Sequence, residues 1–179
     1  MKELLKTLGF IAIFALFLFL LRQYVFTPVI VKGDSMDPTL HDGERVIALK
    51  QTEIERFDII TFIAPDDTGR NYIKRVIGLP GDQVVYQNDT LYINGTAYDE
   101  PYLEAYKTTL DDGFPLTDDF DMSLFNETEV PEGKLLVLGD NRRISKDSRQ
   151  LGLIDETAVL GDVAFVFWPL ADFGRLEND

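Results

Sequence analysis

Residues 8–21 read Leu-Gly-Phe-Ile-Ala-Ile-Phe-Ala-Leu-Phe-Leu-Phe-Leu-Leu, without one polar side chain. A helix that is apolar all round has no face to turn toward water, so it belongs in lipid or deep in a large core. The run alone is short of the roughly 20 residues that cross a bilayer. Leu4 and Leu5 extend it backwards past Lys6, whose stem can snorkel, and Gln23 to Phe26 extend it forwards past Arg22. Pro28 then disfavours further helix. A cleaved secretory leader needs small residues after the apolar run; Arg22-Gln23-Tyr24-Val25-Phe26 follows here instead. The expected organisation is a short cytoplasmic N-terminus (1–7), a transmembrane anchor embedded in the lipid bilayer (8–26) and an extracytoplasmic domain (27–179). Lys2, Lys6 and the N-terminal amine before the span, against Arg22 and Lys32 after it, favour that orientation by the positive-inside rule.

Beyond Pro28 the pattern becomes that of strands. Val29-Ile30-Val31, Arg45–Leu49, Asp58–Ile63, Asn71–Ile77 and Val163–Trp168 are short β-branched or aromatic runs bounded by turn residues. Asn88-Asp89 and Asn94-Gly95 separate three further short runs, and Asn-Gly is a strong hairpin signal. Pro80-Gly81 suits the centre of a type II turn. Leu135–Leu138 resumes the strand pattern after an acidic, proline-bearing stretch without a clear period. That stretch reads as a small insertion at about 96–132. The fold class is mainly β, an antiparallel sheet domain behind one N-terminal helix.

The net charge of −14 argues against nucleic-acid binding, which wants a basic face. The chain has no cysteine and one histidine, so thiolate metal sites and disulfides are excluded. The acids of 111–121 do not match a calcium-loop spacing, and neither cofactor nor metal is expected. His41, in a polar His-Asp-Gly turn, reads as a solvated loop residue.

Two segments carry candidate chemistry. Gly33-Asp34-Ser35-Met36-Asp37-Pro38-Thr39-Leu40 sets a serine in a tight turn, and Tyr72-Ile73-Lys74-Arg75 sets a lysine in an apolar strand. With histidine scarce, a lysine kept neutral by burial is the obvious base for a serine nucleophile. Alternation puts Tyr72, Lys74 and Val76 on one face. Arg75 is expected to help depress the lysine if it lies close, and no acid is expected in contact with Lys74. Each segment alone also fits a bland reading, a polar turn and an exposed strand lysine. Gly139-Asp140-Asn141-Arg142-Arg143-Ile144-Ser145-Lys146-Asp147-Ser148-Arg149 reads as a loop that ties itself together, in which Ser145 could orient a lysine amine.

Taken together the chain resembles bacterial type I signal peptidases, the Ser/Lys leader-peptide proteases, in their short single-anchor form. The resemblance rests on Gly33–Leu40, Tyr72–Asp82, Leu91–Gly95 and Gly139–Arg149, in that order, with Gly161 and Trp168-Pro169 at the end. It implies Ser35 as nucleophile, Lys74 as general base, Ser145 orienting the Lys74 amine, and Asp147 and Arg149 holding the loop as an ion pair. The Ser35 N–H would serve the oxyanion hole. The two-anchor enzymes of the family carry a serine at the position of Gly33, whose hydroxyl is a second oxyanion donor; this chain lacks it. The implied partners are preprotein signal peptides with Ala-x-Ala-type sites, and the implied place is the outer face of the cell membrane. Ile30, Met36 and Tyr72 flank the two catalytic residues and are the expected substrate pocket. Two other readings use the same residues: a soluble Ser/Lys autopeptidase of the SOS-repressor type, disfavoured by the apolar span, and a non-catalytic relative that only binds leader peptides.

Overall fold

The computed structural model describes residues 2–50, 52–66, 69–110 and 112–176. Asp111 of the acidic stretch, residue 1 of the expected N-terminal segment and residues 177–179 of the expected domain lie outside these.

The apolar run is one helix, α1, from Lys2 to Tyr24. Its 23 residues are about 34 Å long, more than the roughly 30 Å hydrocarbon thickness of a bilayer. None of its side chains is buried against the rest of the protein. The helix starts before the apolar run, where Lys6 pairs with Glu3 one turn away at 2.7 Å. It also stops two residues short of Phe26, because the chain there enters a sheet: Lys50 N–H donates to the Val25 carbonyl at 2.8 Å and Phe26 pairs with Leu49. The Lys50 amine donates to the Gln23 carbonyl at 2.9 Å, a cation set at the negative end of the helix.

Among the described residues the strands are β1 (Phe26–Ile30), β2 (Arg45–Leu49), β3 (Ile59–Ile63), β4 (Asn71–Gly78), β5 (Val84–Gln87), β6 (Thr90–Ile93), β7 (Thr96–Tyr98), β8 (Phe120–Asp121), β9 (Lys134–Leu138), β10 (Ile154–Asp155), β11 (Val159–Trp168) and β12 (Gly174–Arg175). Two short helices, α2 (Glu104–Lys107) and α3 (Ser148–Leu151), lie between them. The larger sheet has the order β1-β2-β11-β3-β4-β9-β10, with β12 beside β11, and the smaller has the order β7-β6-β5-β8. All pairings are antiparallel, as the short alternating runs predict.

β1 begins ahead of Pro28, earlier than the Val29 start read from the sequence. It is an edge strand, and an edge tolerates a residue with no N–H to donate. The hairpin turns follow the sequence closely. Asn88, Asp89, Asn94 and Gly95 all have positive φ, which two-residue hairpin loops require. The stretch read as an insertion supplies β7 and β8, the two edges of the smaller sheet, and α2.

β3 is buried on both faces: Ile59 joins one apolar cluster, with Met36, Leu40, Val46 and Ile73, and Ile60 joins another, with Phe62, Val76, Leu135 and Val137. The first cluster lies under the Ser35 turn. A third cluster, with Val84, Tyr86, Leu91, Leu136 and Leu138, fastens the smaller sheet to β9.

Candidate active site

The Ser35 turn is pinned from below by its own apolar residues. Met36 and Leu40 are buried in the core, and the Thr39 and Leu40 N–H groups both donate to the Met36 carbonyl at 2.9 Å. Gly33 has φ +77°, and its N–H donates to the Asp42 carboxylate at 2.7 Å. Glycine takes that left-handed backbone without a Cβ penalty.

Lys74 lies on β4 and is 3% exposed. Its amine donates to Ser35 Oγ at 2.6 Å and to the Ile73 carbonyl at 2.8 Å. Burial lowers its pKa from 10.5 to about 8, opposed by the charges of Asp147 and then Asp140. Among the described residues neither acid forms an ion pair with Lys74, since each is bonded to an arginine. Arg149 grips Asp147 through Nε at 2.9 Å and Nη2 at 2.8 Å. Arg75 grips Asp140 through Nε at 3.0 Å and Nη2 at 2.7 Å. The expectation that Arg75 helps depress Lys74 is corrected by this geometry. Successive strand residues point to opposite faces, and Arg75 is spent on Asp140 and on the Tyr102 ring, 3.7 Å from its guanidinium.

The loop after β9 backs the serine turn. Asn141 N–H donates to the Ser35 carbonyl at 3.2 Å, and its amide donates to the Asp34 carbonyl at 3.1 Å. Thr39 Oγ1 donates to Asp140 at 2.5 Å. Gly139 is jammed against both partners: a Cβ there would fall 2.4 Å from the Ser35 carbonyl oxygen and 2.2 Å from Ser145 Oγ. Ser145 is buried, and its hydroxyl has no hydrogen-bond partner among the described residues. In this structure it therefore does not hold the Lys74 amine, which Ile73 and Ser35 hold instead. Asp147 also accepts the Gly139 N–H at 3.1 Å.

Ser35 and Lys74 open into a cleft of about 340 Å³, lined also by Ile30, Met36, Tyr72, Ile144 and Lys146. Ile30 is exposed there and Met36 is the floor. One wall comes from the end of β1 and the other from the start of β4. Among the described residues both are unpaired on the cleft side: β1 pairs only β2, and β9 joins β4 only from Arg75 onward. His41 is a loop residue beside Asp37 and Glu44, 3.8 and 3.7 Å away.

Several side-chain pairings around this site carry no signal in the sequence. Arg142 is fully buried and donates to Glu100, Tyr86 and Thr117. Tyr106 donates to Asn141 Oδ1 at 2.8 Å, and Asp66 accepts from Tyr72 and Lys146. The adjacent cations Lys74 and Arg75 in an apolar strand were the one available clue, since alternation must bury one charge on each face.

A buried, depressed lysine on a serine hydroxyl, in a cleft with two open strand edges, is the equipment of a serine peptidase. The family model described as signal peptidase, peptidase S26, matches residues 1–168, and the chain belongs to that family. It is 46% identical over 186 residues to signal peptidase IB of Staphylococcus aureus strain Mu50, covering 99% of this chain and 96% of that protein. It is 47% identical to signal peptidase I of Bacillus caldolyticus, covering 86% of this chain and 85% of that one. A crystal structure of a signal peptidase I from Enterococcus faecalis V583 superposes with a TM-score of 0.60 at 42% identity, covering 63% of this chain and 97% of that chain.

Proposed function

We propose that this chain is a membrane-anchored serine endopeptidase that removes N-terminal signal peptides from exported preproteins, with Ser35 as nucleophile and Lys74 as general base. The observation that carries this is the 2.6 Å contact between Ser35 Oγ and a buried Lys74 amine whose pKa is lowered to about 8. The neutral amine accepts the Ser35 hydroxyl proton as Oγ attacks the scissile carbonyl carbon. The resulting ammonium returns that proton to the leaving amine as the peptide C–N bond breaks, which leaves an acyl-enzyme on Ser35. Lys74 then deprotonates a water that hydrolyses the ester and frees the serine. The Ser35 N–H, unpaired among the described residues, is the proposed oxyanion donor. Gly33 supplies no hydroxyl, and its N–H is taken by Asp42. Ser145, with its unsatisfied buried hydroxyl beside Gly139, is proposed as the group that steadies the Lys74 amine once Ser35 is acylated. The Asp147–Arg149 pair holds the loop that carries it.

The substrate enters as an extended strand between the free edges of β1 and β4, a β-augmentation mode. Alternate side chains then point into the cleft, where Ile30, Met36 and Tyr72 leave room for Ala-like residues. The α1 helix is the proposed single anchor, with the β domain on the extracellular face, supported by its length and apolar surface and by Lys2 and Lys6 ahead of it.

The test is incubation of the detergent-solubilised protein with a preprotein bearing an Ala-x-Ala site, beside Ser35→Ala and Lys74→Ala, reading product mass. Cleavage after the second Ala by the parent alone is expected. Absence of cleavage by the folded parent overturns the proposal.

A further inference from the structure

Asp66 lies in the β3–β4 connection, outside every motif that carries the family resemblance. Its side chain is 11% exposed. Its Oδ2 accepts from the Tyr72 hydroxyl at 2.9 Å and from the Lys146 amine at 2.5 Å. Tyr72 and Lys146 both line the cleft that holds Ser35 and Lys74. One carboxylate oxygen therefore ties the β4 wall to the loop after β9. The Tyr72 ring is held at two further points. It meets the Phe62 ring edge-on, with centroids 6.3 Å apart, and its face lies 5.6 Å from the Lys74 amine.

A cleft that selects small side chains works by exclusion. Rejecting one added methylene by about 10–200-fold requires a wall that does not give way. A tyrosine ring turns about two side-chain torsions, and a ring at the edge of an open cleft can swing aside unless its far end is fastened. We propose that Asp66 is a specificity-determining positioning residue: by fastening the Tyr72 hydroxyl it makes the ring a rigid wall, so that a substrate side chain larger than Ala is rejected at that subsite. This rests on the signal-peptidase reading above.

The test uses the full chain in detergent with the Ala-x-Ala preprotein and with versions carrying Val or Leu at each end of that motif. The readout is the kcat/KM of each replaced substrate relative to the Ala substrate, a ratio that a loss of folded protein does not move. Asp66→Ala and Tyr72→Phe are expected to raise the ratio roughly tenfold at one of the two positions, the worth of about one charge-assisted hydrogen bond. Asp66→Asn keeps an oxygen that accepts from Tyr72, and is expected to stay within about twofold of the parent. Lys146→Met, at a half-exposed side chain whose loss leaves the core intact, is expected to raise the ratio by a smaller factor. Unchanged ratios in Asp66→Ala, Tyr72→Phe and Lys146→Met, with the parent active, overturn this inference alone. A rise in Asp66→Asn equal to that in Asp66→Ala also overturns it, because the hydroxyl bond is then not what holds the wall. A folded parent that cleaves no Ala-x-Ala substrate overturns the functional reading and this inference with it.

Discussion

The amine of Lys74 sits between two opposing influences. Burial pushes its pKa down, while Asp147 and Asp140 pull it back up, and the net position is about 8. At pH 7 about one-tenth of the protein then carries the neutral amine, and at pH 9 about nine-tenths. Cleavage by the parent is accordingly expected to rise about tenfold between those values; a flat kcat/KM profile from pH 6 to 10 excludes the neutral-lysine mechanism. The arginines explain how two buried carboxylates coexist with a neutral lysine. Arg149, bonded to both Asp147 oxygens, cancels much of the charge that would otherwise draw a proton onto Lys74. Arg149→Met leaves that carboxylate uncompensated, so the midpoint of the pH–rate profile is expected to move above 8, with the largest loss of rate near neutral pH. A midpoint that stays or falls shows that Arg149 serves the loop only. The same depression has a stability sign. Between about pH 8 and 10.5 the unfolded chain holds a proton that the folded one has released, so the stability contribution of Lys74 grows as pH rises through that window.

The loop from Gly139 to Arg149 is the element that assembles the site. Its first residues brace the Ser35 turn, and its next three grip the acidic stretch before β9. Asn141 receives Tyr106, Arg142 holds Glu100, and Arg143 reaches Asp112 and the Phe114 carbonyl. The grips differ in worth because they differ in burial. Burial alone would raise the Glu100 carboxyl, but the Arg142 charge and the hydrogen bonds around it hold it below its ordinary range. Arg142→Met strands that carboxylate, and a destabilisation of about 3–5 kcal/mol is expected. Arg143→Met breaks an exposed pair and is expected to lose less than about 1 kcal/mol. Denaturant unfolding of both variants in detergent checks the contrast; similar losses would show that the buried pair is not the fastening. These grips also mark where reading the sequence stops. Local signals carried the hairpins at Asn88-Asp89 and Asn94-Gly95, the Pro80-Gly81 turn, the apolar helix, and the segments holding Ser35 and Lys74, because each is a pattern within a few residues. β8, β10 and β12 are two residues long, too short to show a period. Arg142 and Glu100 are 42 positions apart, and Asp66 and Lys146 are 80 apart. Nothing in either neighbourhood names the partner, since only the folded sheet order brings them together.

At the scale of the whole molecule, an acidic body hangs from an apolar helix. The net charge of −14 repels anionic lipid headgroups, so the β domain gains little residence at the membrane from its own charge. The proposed anchor supplies that residence, and the Lys50 contact at the end of α1 keeps the first strand close beneath it. Confining enzyme and substrate to one surface converts their encounter into one at an effective concentration on the order of millimolar. A preprotein held in the same bilayer should therefore be cleaved far faster than its bulk concentration suggests. The comparison is between the full chain and an Ala-x-Ala preprotein reconstituted in the same vesicles, and the two reconstituted in separate vesicles then mixed at equal bulk concentrations. Cleavage in shared vesicles is expected to be at least about a hundredfold faster. A soluble peptide with the same site should be cut equally in both samples, and dissolving both in detergent should remove the difference. Equal rates in shared and separate vesicles would mean that the helix does not act by concentrating the enzyme on its substrate. A difference that survived detergent would show that the samples differ in active enzyme rather than in confinement, and would overturn the effect as one of shared confinement.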